Sequence, residues 1–179
     1  MSQFKDFYLN KTPNPLGLYL KDMWNFTDWE FDHTHDFIQW MFPLEVKSKH
    51  SELAPVLNID DLSEMLDDKQ VINNLLRSLY LAENNWGFDV GHKRIDRSRP
   101  VSFRLFHEQN WPTINHHNYI RISRVLHCLK LFHQNREAQE LMNYLENNFY
   151  SIYENVVGKE TLNSWKFAYD QESLLTNAA

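Results

Sequence analysis

Apolar residues recur every three or four positions along much of the chain, the period of helices with one buried face. The clearest run predicts a helix over 68–86, where Val71, Leu75 and Leu79 repeat at four-residue spacing with Ile72, Leu76 and Tyr80 alongside. Gly87 is expected to end it, and Asn58 or Asp60 to cap a shorter helix before it. A second helix is predicted over 116–133, with Ile122, Val125, Leu126, Leu129 and Phe132 on one face. A third is predicted over 136–157, where Ala138, Leu141, Leu145, Phe149, Ile152 and Val156 keep an a/d-like spacing. Gly158 is expected to stop it, leaving a short last helix over 160–169 that carries Trp165.

The stretch from His35 to Phe42 behaves differently. It is apolar almost all round and stops at Pro43, which predicts a segment buried on every side. It reads as a two-turn helix with Thr34 or Asp32 near its cap, because a strand there would leave more backbone groups to satisfy. Residues 87–112 read as an irregular basic connection with a short helix over 103–107.

Composition narrows the class. Four glycines are too few for the turns of an all-β fold or for a glycine-rich phosphate loop, and the last proline is Pro112. The predicted fold is all-α, and 179 residues without repeats or linkers suit a single compact multi-helix domain over 1–179. Cys128 is the only cysteine, which excludes an internal disulfide framework and fits a reducing compartment. The first residues lack a basic segment followed by an apolar run, and no stretch reaches 18 consecutive apolar residues. A cytoplasmic location without a transmembrane segment is expected.

Charge is unevenly placed. The whole chain carries −6, yet residues 91–130 hold eight basic side chains against Asp96 and Glu108, giving +6 there and −12 elsewhere. General nucleic-acid binding is not expected of so acidic a chain, although a local basic patch fits an anionic partner. The cluster from Lys93 to Arg104 could touch phosphates or simply balance the acidic body.

Two sequence blocks carry a family resemblance. Thr34-His35-Asp36-Phe37-Ile38-Gln39-Trp40-Met41-Phe42-Pro43-Leu44 is the first, and Asn110-Trp111 followed by His117-Asn118-Tyr119-Ile120-Arg121-Ile122-Ser123-Arg124-Val125-Leu126 is the second. In this order they resemble the conserved domain of the opioid growth factor receptor family over roughly 29–130, with a fainter echo at 164–169. Animal members are described as receptors for an enkephalin pentapeptide, associated with the nucleus and with restraint of growth. A minimal member, without the imperfect-repeat tail of the vertebrate members, is expected. The expected role of such a member is a binding or regulatory domain.

Helix geometry adds a candidate site. His117, Arg121, Arg124 and Cys128 fall on one stripe of the second helix, beside its apolar face. Two guanidiniums one turn apart with an imidazole suit a carboxylate or phosphate, because arginine presents a planar fork of donors. The alternative is an internal clamp in which the arginines pair with Asp32 or Asp36. Arg124 is expected to lie deeper and serve structure, with Arg121 nearer the ligand.

The expected functional surface is a polar, anion-compatible cleft lined by His35, Gln39, His117, Asn118, Arg121 and Arg124. Asp36, Trp40, Pro43, Asn110 and Trp111 are read as structural members of the two blocks. The His35-Asp36 pair resembles that of HD phosphohydrolases but lacks the further His and Asp such a metal site needs, so its expected role is a cap and hydrogen bonds around Trp40. His116-His117 and the His33/His35 pair lack helical zinc spacing, and Cys128 reads as a buried, inert thiol. No metal, cofactor or catalytic residue is expected. The ligand could be a small anion, a peptide or a protein. An enzyme acting on a phosphorylated small molecule or nucleic acid in the same cleft and a protein-binding scaffold without a pocket are the alternatives.

Overall fold

The computed structural model describes residues 3–90 and 111–171. The expected basic connection and its helix at 103–107 lie almost wholly outside these residues, as does Asn110. The described residues are helical, with one isolated bridge between Leu44 and Val56 in place of any strand. They group into two compact units, one up to Leu81 and one from Ala82 onward.

The first unit is built from short pieces. Its helices are α1 (Gln3–Tyr8), α2 (Leu20–Met23), α3 (Asp28–His33), α4 (Phe37–Met41), α5 (Ile59–Leu66) and most of α6 (Lys69–Trp86). None of the first five exceeds eight residues, well below the length at which a helix persists alone, so tertiary ties must hold them. The Tyr8 hydroxyl donates to the Met41 carbonyl, and the Asn74 amide donates to the Tyr8 carbonyl at 2.7 Å. The indole N–H of Trp24 donates to Ser78 Oγ at 2.9 Å, and Lys5 reaches Asp68 and the Glu64 carbonyl, each at 3.1 Å. Between these ties lie Phe7, Leu20, Phe37, Met41, Met65, Val71 and Leu75, all essentially out of contact with solvent.

Local chemistry sets the helix ends. Thr27 and Glu30 form a reciprocal capping box at α3, and Asn58 with Asp61 does the same at α5, as expected of Asn58. Gly87, with φ at 75°, follows the last residue of α6.

The His35–Phe42 run is buried as predicted, but its helix starts later. Phe37 to Met41 are all buried, whereas Thr34 terminates α3 in an extended conformation and Asp36 is left-handed with φ at 66°. A left-handed residue cannot belong to a right-handed helix, so His35 and Asp36 are the entry turn and not the first turn. Asp36 occupies the cap position without a capping hydrogen bond from its side chain. Trp40 is held elsewhere: its indole N–H donates to the Leu53 carbonyl at 2.9 Å, and its ring meets Phe4 and Phe7. Buried Pro43 then ends the apolar run, and the Leu57 amide donates to the Leu44 carbonyl at 2.9 Å.

The second unit is made of longer helices. α7 (His117–Leu131) packs against α8 (Asn135–Tyr144) and α9 (Ser151–Asp170), with a wide π-turn over Leu145–Tyr150 joining the last two. α7 ends in a Schellman arrangement: His133 is left-handed, its amide donates to the Lys130 carbonyl, and the Gln134 amide donates to that of Leu129.

The third predicted helix is therefore not continuous. Ala138, Leu141, Leu145 and Phe149 are buried as expected, but Ile152 is 68% exposed, and Val157 rather than Val156 is buried. A π-turn holds more residues than an α-turn, so it carries the buried stripe forward by one position. The hydroxyl of Ser151 donates to the widened carbonyls of Asn147 and Asn148 at 3.0 and 2.8 Å. Gly158 breaks α9 as expected, at φ 75° and ψ 157°, a backbone region open essentially to glycine alone.

Candidate functional site

The candidate residues on α7 rise from an aromatic floor. Trp86, Phe88, Trp111, Phe149, Trp165 and Tyr119 form a chain of ring contacts, with Trp111 stacked on Phe149 at 5.3 Å between centroids. The indole N–H of Trp111 donates to the Trp86 carbonyl at 3.1 Å, and that of Trp165 to the Tyr119 carbonyl at 3.0 Å. Both indoles are thus satisfied inside the core, as buried indoles require. The second block's Trp111 and Tyr119 fix where α7 begins.

His116 caps α7, its Nδ1 accepting the Asn118 amide N–H at 3.2 Å. An accepting Nδ1 carries no proton, so a neutral His116 holds its proton on Nε2. Its ring lies 4.2 Å from that of His117 and 5.2 Å from that of Trp111. Buried Asn118 accepts from Arg121 Nη1 at 3.3 Å, an i, i+3 pair that orients the guanidinium along the helix.

Arg121 is only 8% exposed, while Arg124 is half-buried and His117 exposed. Depth thus runs against expectation, since Arg124 was to lie deeper. The stripe nevertheless passes from exposed His117 to Cys128, which is fully buried. No acidic residue occurs within α7, which carries Arg121, Arg124 and Lys130. His127, on a different side of the helix, is also buried.

The remaining expected residues belong to the first unit. His35 is exposed in the turn before α4. Gln39 is 8% exposed, and its Oε1 is buried with no hydrogen-bond partner. Among the residues sequence reasoning passed over, His116 has the clearest role. Its position directly before a strongly periodic run was the available signal, although histidine is not a favoured cap. Tyr119 is the other: burial pushes its phenol up to about 12. That phenol stays protonated across the physiological range.

Comparison with known proteins accords with the two blocks. The family model of the opioid growth factor receptor (OGFr) conserved region matches residues 1–175. Opioid growth factor receptor-like protein 1 of Rattus norvegicus is 30% identical over 131 residues, covering 69% of this chain and 27% of the rat protein. The Mus musculus protein of the same name gives the same identity and coverage, and that of Xenopus tropicalis is 28% identical over 130 residues, 24% of its length. The chain spans about a quarter of the length of these relatives. No solved structure matches it. With nearly its whole length matched, the chain belongs to the opioid growth factor receptor conserved-region family.

Proposed function

We propose that this chain is a non-catalytic binding module, and that the basic stripe of α7 receives an anionic group of its ligand. The observation that carries this reading is the buried Arg121 guanidinium, held by Asn118 on a helix with three basic side chains and no acidic residue. Arginine offers five donors in a fixed fork, a shape matched to carboxylate and phosphate oxygens. His117, exposed one turn earlier, and half-buried Arg124, one turn later, extend the stripe. The α-helical N-terminus adds positive potential at the same end. The cytoplasm is the proposed location, in keeping with a lone, buried cysteine.

Melting curves with and without inorganic phosphate test the reading. Phosphate should raise the melting temperature of the wild type, and Arg121→Ala or Arg124→Ala should lose that protection. Each lost charge-assisted bond is worth about 1.5–3 kcal/mol of binding. If both variants instead melt far lower while phosphate leaves the wild type unmoved, the arginines are an internal clamp.

A second reading, a protein-binding scaffold, draws on the second unit's exposed apolar residues. Ile114, Ile120, Ile152 and Phe167 are each more than half exposed. Their replacement by serine, without effect on phosphate protection but with loss of a captured partner, would favour it.

A further inference from the structure

The first unit carries a feature that the α7 stripe does not explain. Helix α3 reads Asp-Trp-Glu-Phe-Asp-His, with Phe31 turned inward at 2% exposure and Trp29 left 63% exposed. The other five tryptophans of the chain are buried. Trp29 is also held in place. The His33 ring stacks on it with centroids 4.6 Å apart and planes 11° apart, and His33 Nδ1 donates to the Trp29 carbonyl at 2.9 Å. The indole is thus covered by an imidazole on one face and presented outward on the other.

Its surroundings are acidic. On a helical wheel Glu30 lies about 100° to one side of Trp29, and Asp32, half-buried with its carboxylate 3.9 Å from His33 Nδ1, about 60° to the other. Glu30 is exposed and held as an anion by the amide and hydroxyl of Thr27, each at 2.8 Å. The wider unit has the same sign: residues 1–81 hold 13 acidic side chains against seven basic ones. That −6 equals the net charge of the whole chain.

We propose that the outer face of α3 is a docking surface for a basic segment of a partner protein, with an arginine or lysine laid over the open face of Trp29. Charge complementarity selects this occupant. Indole is the aromatic ring that attracts cations best, and an acidic surround raises the local concentration of basic chains. A second copy of the same acidic face would bring like charges together, and an anionic membrane would be repelled. An uncharged apolar segment would gain nothing from the field and would cover the flanking acids at a cost.

The test is fluorescence anisotropy at low salt with a labelled peptide of four Arg-Gly repeats, and a Glu-Gly peptide of equal length as control. The wild type should bind the first and not the second. Trp29→Ala should weaken binding about tenfold with an unchanged melting temperature. Trp29→Phe, which keeps an aromatic face, should give a smaller loss. Glu30→Gln, which can keep the capping box, should weaken binding through charge alone. Equal binding by wild type and both Trp29 variants would overturn the proposal by reducing it to unspecific charge, and absence of binding would do so outright. Sedimentation showing a wild-type dimer that Trp29→Ala dissolves would assign the face to a second copy instead, and would equally overturn it.

Discussion

The two units reach order by different means. The first strings five helices of four to eight residues onto α6 and ties them with side chains that reach across the sequence, such as Asn74 to Tyr8 and Trp24 to Ser78. The second uses the 15-residue α7 and a 20-residue α9 that Gly158 interrupts, whose own stripes meet over linked aromatic rings. Charge divides in the same way, with −6 in the first unit's sequence and none in the second's. The difference teaches where binding chemistry can sit. A long helix can carry a buried guanidinium because its backbone needs nothing from that side chain, whereas the short helices depend on ties such as those of Tyr8 and Trp24 and have only their exposed positions left for a partner.

Three substitutions sharpen this contrast. The largest effect belongs to the aromatic unit: Trp165→Ala should cost about 3–5 kcal/mol, through the cavity it leaves. Trp165 is fully buried and ties α9 to α7, so the loss should appear as a lower denaturant midpoint. Next comes the polar unit. Asn74→Ala removes the donor to the Tyr8 carbonyl, and about 1–3 kcal/mol should be lost in the same measurement. If Asn74→Ala proved as costly as Trp165→Ala, the proposed division between polar ties and ring packing would fail.

The smallest effect is a pH dependence. The Lys5 ammonium, the largest influence on Asp68, holds its carboxyl below the usual aspartate range. A depressed folded-state pKa stabilises the fold above the ordinary aspartate value, and that contribution disappears as pH falls through the lower folded-state value. Asp68→Asn should therefore lose stability at neutral pH, by less than the other two variants, and converge with the wild type in acid, which flattens the acid limb of a stability–pH curve. An acid limb as steep as the wild type's would show that the Lys5–Asp68 pair contributes nothing.

The long periodic elements were legible in the sequence, and the reasons for the misreadings are local. α6 and α7 followed from apolar spacing because many residues voted for one face. The start of α4 was misplaced because Asp36 takes a left-handed conformation that no periodicity records. Ile152 and Val156 were assigned inward because a π-turn shifts the stripe without leaving a mark on the residue pattern. The stripe of His117, Arg121 and Arg124 could be placed on α7 by angle. Their order of burial could not, since depth depends on what neighbouring elements cover rather than on the helical wheel. Gln39 shows the same limit: its place in an apolar run was readable, its buried and unbonded Oε1 was not.

The central claim is that α7 presents Arg121 and Arg124 to an anionic group. Arginine side-chain resonances report on it most directly, because each Nε–Hε group responds to its own hydrogen-bond partner. Titration of the folded protein with inorganic phosphate, followed in nitrogen–proton spectra, should move the Arg121 and Arg124 side-chain signals saturably and leave that of Arg77 in the first unit in place. Saturable movement at α7 confined to those two side chains would establish the site. Phosphate that leaves both signals unmoved, or shifts all arginines alike and without saturation, would contradict the account.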